Sequence, residues 1–475
     1  MTRVVIIGGG PGGYEAALVA AQLGAEVCVV DRDGLGGSAV LTDCVPSKTL
    51  VATAEVINQV RESGELGVRI GRSAPDPGDV STDIATDIAK VNARVKALAH
   101  NQSEDVGRSL QREGVRVVRG SGRMAGPDRV VATLADGGTE ELAADVVLLS
   151  TGARPRILPD AEPDGERILT WDQVYELDEL PGRLIVVGSG VTGAEFAGAY
   201  NALGSDVVLV SSRDRVLPTE DADAANVIED VFTRRGMTVL SRSRAERVER
   251  RGDGVVVTLT DGRVVEGTHC LLAVGSIANT ADLGLDTAGV TTDERGFIEV
   301  DKVSRTTARG VYAAGDCTGV LMLASVAAMQ GRIAMAHALG DAVSPLDLEE
   351  VAATVFTAPE IATVGWSQQD LDSGRVQAVG IKLPLTRNPR AKMQGIHDGF
   401  IKLMCRPGTG IVVGGVVVAP HASELIHPVS VAVSCRLTVD QLAHAFTVYP
   451  SLSGSIAEAA RRLHVRGQQA PRKDS

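Results

Sequence analysis

The stretch RVVIIGGGPGGYEAALVAAQLGAEVCVVD, residues 3–31, decides the fold. It opens on a β-branched apolar run, as a strand buried on both faces does. A glycine loop follows, then an alanine-rich helical pattern that stops at Gly24, then a second apolar run. Gly8, Gly10 and Gly13 make GxGxxG. In that pattern the first glycine allows the tight turn, the second lets the backbone approach a pyrophosphate, and the third lets the helix pack close to the strand. The phosphates then sit at the helix N-terminus, where free N–H groups and the dipole favour an anion. Asp31 ends the second run, placed for a pair of ribose hydroxyls. A lone glycine fingerprint is weak; strand, loop, helix, strand and terminal acid in that order predict a dinucleotide-binding βαβ unit.

The unit recurs about 180 residues later. RLIVV (183–187) leads into GSGVTG, with Gly188, Gly190 and Gly193, then a helical AEFAGAYNALG and the run DVVLVS. Here Ser211 and Ser212 stand where the acid would be, with Arg213 and Arg215 nearby. No carboxylate repels a 2′-phosphate, so NADPH is expected, with NADH left open. Two such sites predict one bound flavin dinucleotide and one exchanging nicotinamide dinucleotide. No P-loop, HExxH or GxSxG competes with that reading.

The remaining pattern frames these units. Residues 44–65 and 84–112 read as helices. VRVVRG, RVVATLADGG and DVVLLSTG read as strands between the two loops, and VVVTLTDGR, HCLLAVG and GVYAAGD follow the second. A helix is expected from Leu323, and from about Thr354 the glycine fingerprints stop. The expected fold is α/β, with two Rossmann-like dinucleotide-binding domains and a C-terminal α+β domain. The expected boundaries are 1–154, 155–280, 281–350 and 351–466, with a polar tail at 467–475.

A net charge of −13 argues against a nucleic-acid partner. No run approaches about 18 apolar residues, so no membrane span is expected. The N-terminus enters a strand without a leader pattern. Six scattered cysteines, 28, 44, 270, 317, 405 and 435, form no CxxC pair, which fits cytoplasmic usage without a metal site.

With these motifs in place, the chain resembles the flavoprotein disulfide reductases, which include lipoamide dehydrogenase, glutathione reductase and mercuric reductase. The resemblance is carried by VVIIGGGPGGYEAA, GGSAVLTDCVPSK (36–48), STGARP (150–155), VVGSGVTGAEFA, AVGSIANT (273–280), GVYAAGD, VFTAPEIATVG (355–365) and ASELI (422–426). It implies FAD bound by an FAD-binding domain at 1–154 and completed by a central domain at 281–350, NAD(P) bound by an NAD(P)-binding domain at 155–280, and a homodimer built by a C-terminal α+β dimerisation (interface) domain at 351–466. It implies that Asp316 holds the flavin ribityl chain and that backbone around Met322, Leu323 and Ala324 faces the pyrimidine end. It places Gly122 against adenine, and Arg32, Gly37, Thr151, Gly152 and Gly275 in the cofactor-lining loops. It pairs Lys48 with Glu195 beside flavin N5, where a cation stabilises reduced flavin.

Three departures set the expected activity. Members of that family carry two cysteines in this motif; one matches Cys44 and the other matches Ala39. Their C-terminal acid/base histidine matches Tyr449, and the glutamate that orients it matches Gly454. Thiol–disulfide exchange needs a second sulfur and a base near neutral pH, and tyrosine, with a pKa of about 10, is a poor base there. His444 precedes the FTVYP segment and is not expected to substitute. Cys44, at a helix entry beside Pro46, is expected to gain thiolate character from the dipole, as a flavin contact or as a relic. Tyr449 is read as a proton donor or as a filler of the histidine's space.

The expected function is an FAD-dependent NAD(P)H dehydrogenase that passes two electrons to a quinone or a similar small acceptor, without disulfide chemistry. The alternatives are a soluble pyridine nucleotide transhydrogenase, an oxygen-reducing oxidase, and a non-catalytic FAD/NAD(P)-binding redox sensor.

Overall fold

The computed structural model describes residues 1–68 and 85–467. The run at 3–7 becomes the strand Arg3–Ile7, third in a seven-stranded sheet. The order is Val311–Ala313, Val146–Leu149, Arg3–Ile7, Glu26–Asp31, Arg116–Met124, Arg129–Leu134 and Thr139–Ala143. The first five strands run parallel and the last two pair antiparallel. Val4–Ile7 and Val146–Leu149 are buried throughout, as strands covered on both faces must be. One cover is a helix pair, Pro11–Gln22 and Ala324–Ala338. The two meet backbone to backbone: a Cβ on Gly331 would lie 2.1 Å from the Gly12 carbonyl oxygen. That contact brings the segment around Asp316 back over the first glycine loop.

The second βαβ unit builds a parallel five-stranded sheet in the order Thr238–Leu240, Asp206–Val210, Arg183–Val187, His269–Leu272 and Ile168–Thr170. Ala245–Arg251, Gly254–Leu259 and Val264–Gly267 form a separate antiparallel sheet. A two-stranded ribbon, Ala153–Pro155 with Ser276–Ala278, joins the ends of the two parallel sheets. Periodicity could not announce three-residue strands, because they hold no alternation.

The C-terminal region folds as a five-stranded antiparallel sheet: Ala352–Val355, Glu360–Gly365, Val412–Ala419, Phe400–Cys405 and Val379–Pro384. Helices His427–Ser434 and Gly454–Gly467 share its apolar core through Val429, Ile456 and Leu463. A buried ion cluster fastens this sheet to the second dinucleotide unit. Lys402 Nζ, on a side chain only 5% exposed, lies 2.7 Å from both Asp221 and Asp223, and Lys382 also reaches Asp223. Asp221 also caps the helix Ala222–Arg234. A charge this deep is tolerable only because it is paired.

Two expected helices shift at their ends. The first is Cys44–Glu62, followed by a tight turn at Ser63–Leu66 that Gly67 closes in the left-handed conformation. The second is Ile88–Arg112, capped by Asp87, while Ile84 lies outside the described residues. Of the expected tail, Gly467 belongs to the last helix and the rest lies outside the described residues. Phe446, Val448 and Tyr449 protrude into solvent from the loop before that helix.

Candidate functional site

Both glycine loops adopt the same construction. A Cβ on Gly13 would lie 1.9 Å from the Gly8 carbonyl oxygen, and one on Gly193 would lie 1.9 Å from that of Gly188. At Gly8 and Gly188 the backbone has positive φ, and a Cβ would meet a neighbouring strand's carbonyl at 2.2 Å. The middle glycine differs: nothing lies within 4 Å of a Cβ on Gly190, and Gly10 meets only the Gly37 Cα at 4.0 Å. Open space therefore sits in front of two helix N-termini, Pro11–Gln22 and Val191–Leu203, where an anion is favoured.

Beside the first loop a cleft of about 440 Å³ is lined by Gly8, Asp31, Arg32, Gly122, Thr151 and Asn279, among others. Asp31 accepts from the Gly9 N–H at 2.7 Å and the Gly34 N–H at 2.5 Å, which fixes its carboxylate at the cleft wall. Burial raises its pKa, and those two donors pull it back. Arg32 is paired with Asp33 at 2.8 Å. Gly37 closes on Gly10, where a Cβ would lie 2.8 Å from the Gly10 Cα. Thr151 and Asn279 exchange two hydrogen bonds, 2.7 and 3.0 Å, which hold the 150–152 turn against the 276–279 strand. Gly152 and Gly275 turn with positive φ on either side of that link.

The 315–318 turn is held from the helix behind it. The Gly315 N–H donates to Gln330 Oε1 at 2.8 Å. Asp316 projects from this turn, and burial followed by repulsion from Asp43 lifts its pKa to about 6. Among the described residues its carboxyl has no hydrogen-bond donor. A largely buried acceptor without a partner suits a hydroxyl-rich ligand. Leu323 caps the helix that begins at Ala324, and Met322 is exposed beside it.

Lys48 and Glu195 meet across 147 residues: Lys48 Nζ lies 2.8 Å from Glu195 Oε2. Glu195 is 3% exposed and Lys48 30%. The second carboxylate oxygen accepts the Phe356 N–H at 2.8 Å, and the Lys48 ammonium sits 5.1 Å from the Phe356 ring centre. Burial opposes the lysine charge, but Glu195 outweighs it, and the pKa rises. The result is a permanent cation held at one place.

Two expectations need correction. Cys44 begins its helix as expected, but burial and then Asp43 push its thiol up to about 12, away from the thiolate character expected of it. Ser211 is fully buried, and its hydroxyl is used by Ser189 at 2.6 Å and by the Arg213 backbone. It shapes the turn from inside and does not face a ligand, while Ser212 and Arg213 are exposed. Tyr449 is 83% exposed on the single chain. His444 ends the helix Val439–His444 with its ring nitrogen bonded to the Asp440 carbonyl. Sequence reading also missed Asn279, Gln330 and Phe356, which act on the site through contacts with residues far away in the chain.

The chain matches the model of the family described as pyridine nucleotide-disulphide oxidoreductase over residues 2–331, and that family's dimerisation domain over 351–460. It is 56% identical over 472 residues to a protein of Mycobacterium tuberculosis named NAD(P)H dehydrogenase (quinone), covering 98% of this chain and 94% of the relative. It is 34% identical over 466 residues to a dihydrolipoyl dehydrogenase of Chlorobaculum tepidum, covering 96% of each. The crystal structure of LpdA from Mycobacterium tuberculosis superposes with a TM-score of 0.92 at 55% identity, covering 98% of this chain and 100% of that one. The flavoprotein disulfide reductase RclA of Escherichia coli shares the fold, with a TM-score of 0.84 at 24% identity.

Proposed function

Because this chain belongs to the pyridine nucleotide-disulphide oxidoreductase family, we propose that it is an FAD-dependent NAD(P)H dehydrogenase that delivers two electrons to a quinone-class acceptor and is not a disulfide reductase. The single observation that carries this reading is the flavin-site pair Lys48–Glu195, intact at 2.8 Å, beside a motif whose other redox position is Ala39. The first glycine loop, the Asp31 cleft and the unpartnered Asp316 fit FAD; the second loop fits NAD(P)H. Bound FAD supplies the two-electron relay between nicotinamide and acceptor. The residues supply the rest. Gly10 and Gly190 leave room for pyrophosphates, Asp31 would hold a ribose, Asp316 would accept from ribityl hydroxyls, and Gly122 would contact adenine. Lys48 holds positive charge where negative charge develops. The name of the 56% identical relative supports the acceptor class.

The proposed organisation keeps an FAD-binding domain at 1–154, an NAD(P)-binding domain at 155–280, a central domain at 281–350 and a dimerisation domain at 351–466. In a homodimer the protruding Phe446, Val448 and Tyr449 gain cover that one chain does not give them. No helix among the described residues is long and apolar enough to cross a membrane.

The test is acceptor choice under one NADPH concentration. Turnover is expected with benzoquinone and none with lipoamide or glutathione disulfide, and Ala39→Cys should not restore disulfide turnover. Restoration by that one substitution would contradict the reading. For the nucleotide, Arg213 is exposed and its guanidinium has no ion-pair partner among the described residues, so it is the candidate for the 2′-phosphate. Arg213→Ala is expected to raise KM for NADPH about tenfold, the loss of one charged hydrogen bond of about 1.5 kcal/mol, and to leave KM for NADH unchanged. Equal changes for both nucleotides would remove this assignment.

A further inference from the structure

One acidic side chain beside the Lys48–Glu195 pair has no part in the reading above. Asp43 immediately precedes the helix Cys44–Glu62, and its backbone is held on both sides. Its N–H donates to the Ser38 carbonyl at 2.7 Å, and its own carbonyl accepts from the Ser47 N–H at 2.7 Å. Its carboxyl, by contrast, caps nothing and has no hydrogen-bond donor among the described residues. It is largely buried. Cys44 and Lys48 face it from its own helix, Asp172 and Tyr175 from the turn at 172–176, Glu195 from the helix Val191–Leu203, and Asp316 from the 315–318 turn.

A second group in the same place is also without a partner. The Tyr175 side chain is 4% exposed, and its hydroxyl makes no hydrogen bond among the described residues. That hydroxyl lies within electrostatic reach of Asp43, Glu195 and Cys44. Buried polar groups are normally bonded. Two unbonded polar groups within electrostatic reach of each other, one of them a turn from the fixed Lys48 cation, leave room for a partner that is not protein. Burial also drives the Asp43 carboxyl toward its protonated form, with Glu195 and Asp172 adding to that and Lys48 opposing it.

The chemistry proposed above needs such a group. The overall reaction is NAD(P)H + H⁺ + quinone → NAD(P)⁺ + hydroquinone. One hydrogen crosses with the electron pair as hydride; the second must reach an acceptor oxygen as a proton. Cys44 is a poor donor with its thiol near 12. Lys48 is committed to Glu195. We propose that Asp43 donates this proton to a quinone-class acceptor bound beside Cys44. The carboxyl O–H bond breaks as the hydroquinone O–H bond forms, and water reprotonates the carboxylate through the accessible part of the site. This rests on the acceptor reading of the preceding subsection.

The test uses the FAD-loaded protein and Asp43→Asn, with flavin absorbance read separately for each half-reaction. Reoxidation by benzoquinone is expected to slow about 100-fold, the lower range for a lost general acid. Reoxidation by ferricyanide, which accepts electrons without protons, should keep its rate. In the wild type the benzoquinone rate falls as pH rises and the acid form is lost; in the variant that limb is absent, and Asp43→Glu recovers it. A readout independent of turnover is the infrared carboxylic-acid carbonyl band of the flavin-free protein, followed as the pH is lowered, from which Asp43→Asn should remove one titrating carboxyl. Unchanged benzoquinone reoxidation in Asp43→Asn, or equal slowing with ferricyanide, would overturn the proposal alone. A wild type that bleaches with NADPH but is never reoxidised by benzoquinone would overturn the acceptor reading and this proposal together. If Asp43→Asn fails to retain FAD, Asp43→Glu decides: it should keep the fall in rate as pH rises, and the absence of that limb in a variant that retains the acid would overturn the proposal.

Discussion

In Lys48→Ala, NADPH is expected to bleach the flavin about 100-fold more slowly than in the wild type, the cost of removing one preorganised charge where negative charge develops, about 3 kcal/mol. Lys48 Nζ is held at 2.8 Å by a carboxylate that is 3% exposed and that also accepts the Phe356 N–H. Without the lysine, Glu195 keeps its burial and loses its charge partner. Removing one member of a fully buried pair costs about 3–5 kcal/mol, and the partial exposure of Lys48 reduces this to about 2 kcal/mol. Two readouts separate the roles. Thermal unfolding reports the stranded carboxylate, and rapid-mixing absorbance reports the lost cation. Lys48→Ala with a lowered melting temperature but a normal bleaching rate would confine the pair to structure.

The second large effect separates the two nucleotide sites. Gly13→Ala is expected to yield protein without flavin colour, and Gly193→Ala to yield yellow protein that NADPH bleaches poorly. Each added methyl would lie 1.9 Å from a backbone carbonyl oxygen, on Gly8 or Gly188. Backbone cannot swing aside as a flexible side chain can, so the loop must move, at about 3 kcal/mol, close to a hundredfold in affinity. The two loops differ in occupant, so the same lesion gives two phenotypes. The measurements are the ratio of flavin to protein absorbance after purification, and the NADPH dependence of bleaching. If Gly193→Ala lost flavin and Gly13→Ala kept it, the assignment of the loops would be reversed.

The parts of this molecule legible in its sequence are those specified within one short window. GGGPGG and GSGVTG, each between an apolar run and an alanine-rich helix, announce both parallel sheets, because local spacing alone creates the turn, the close helix packing and the open N-terminus. Lys48 and Glu195 were reachable only through a family resemblance, since nothing within either window says that residues 147 apart will touch. Ser211 shows the opposite failure. Its position was read correctly, but a strand-end hydroxyl can face in or out, and Ser189 drew it inward. Cys44 failed on energetics. The helix entry was legible, but the rise of the thiol depends on burial, on Asp43 and on elements remote in the chain. Asp43 and Tyr175 gave no signal, because an acid before a helix reads as a cap; only the structure reveals that this one caps nothing.

The most direct test of the central claim is one anaerobic experiment on the purified flavoprotein. NADPH is added until the flavin absorbance is lost, excess nucleotide is removed, and the reduced protein is divided among acceptors. The account predicts rapid return of oxidised flavin with benzoquinone, little with NAD⁺, and none with lipoamide. Prompt reoxidation by NAD⁺ with none by benzoquinone would make the protein a transhydrogenase, and reoxidation by lipoamide would contradict the reading built on Ala39.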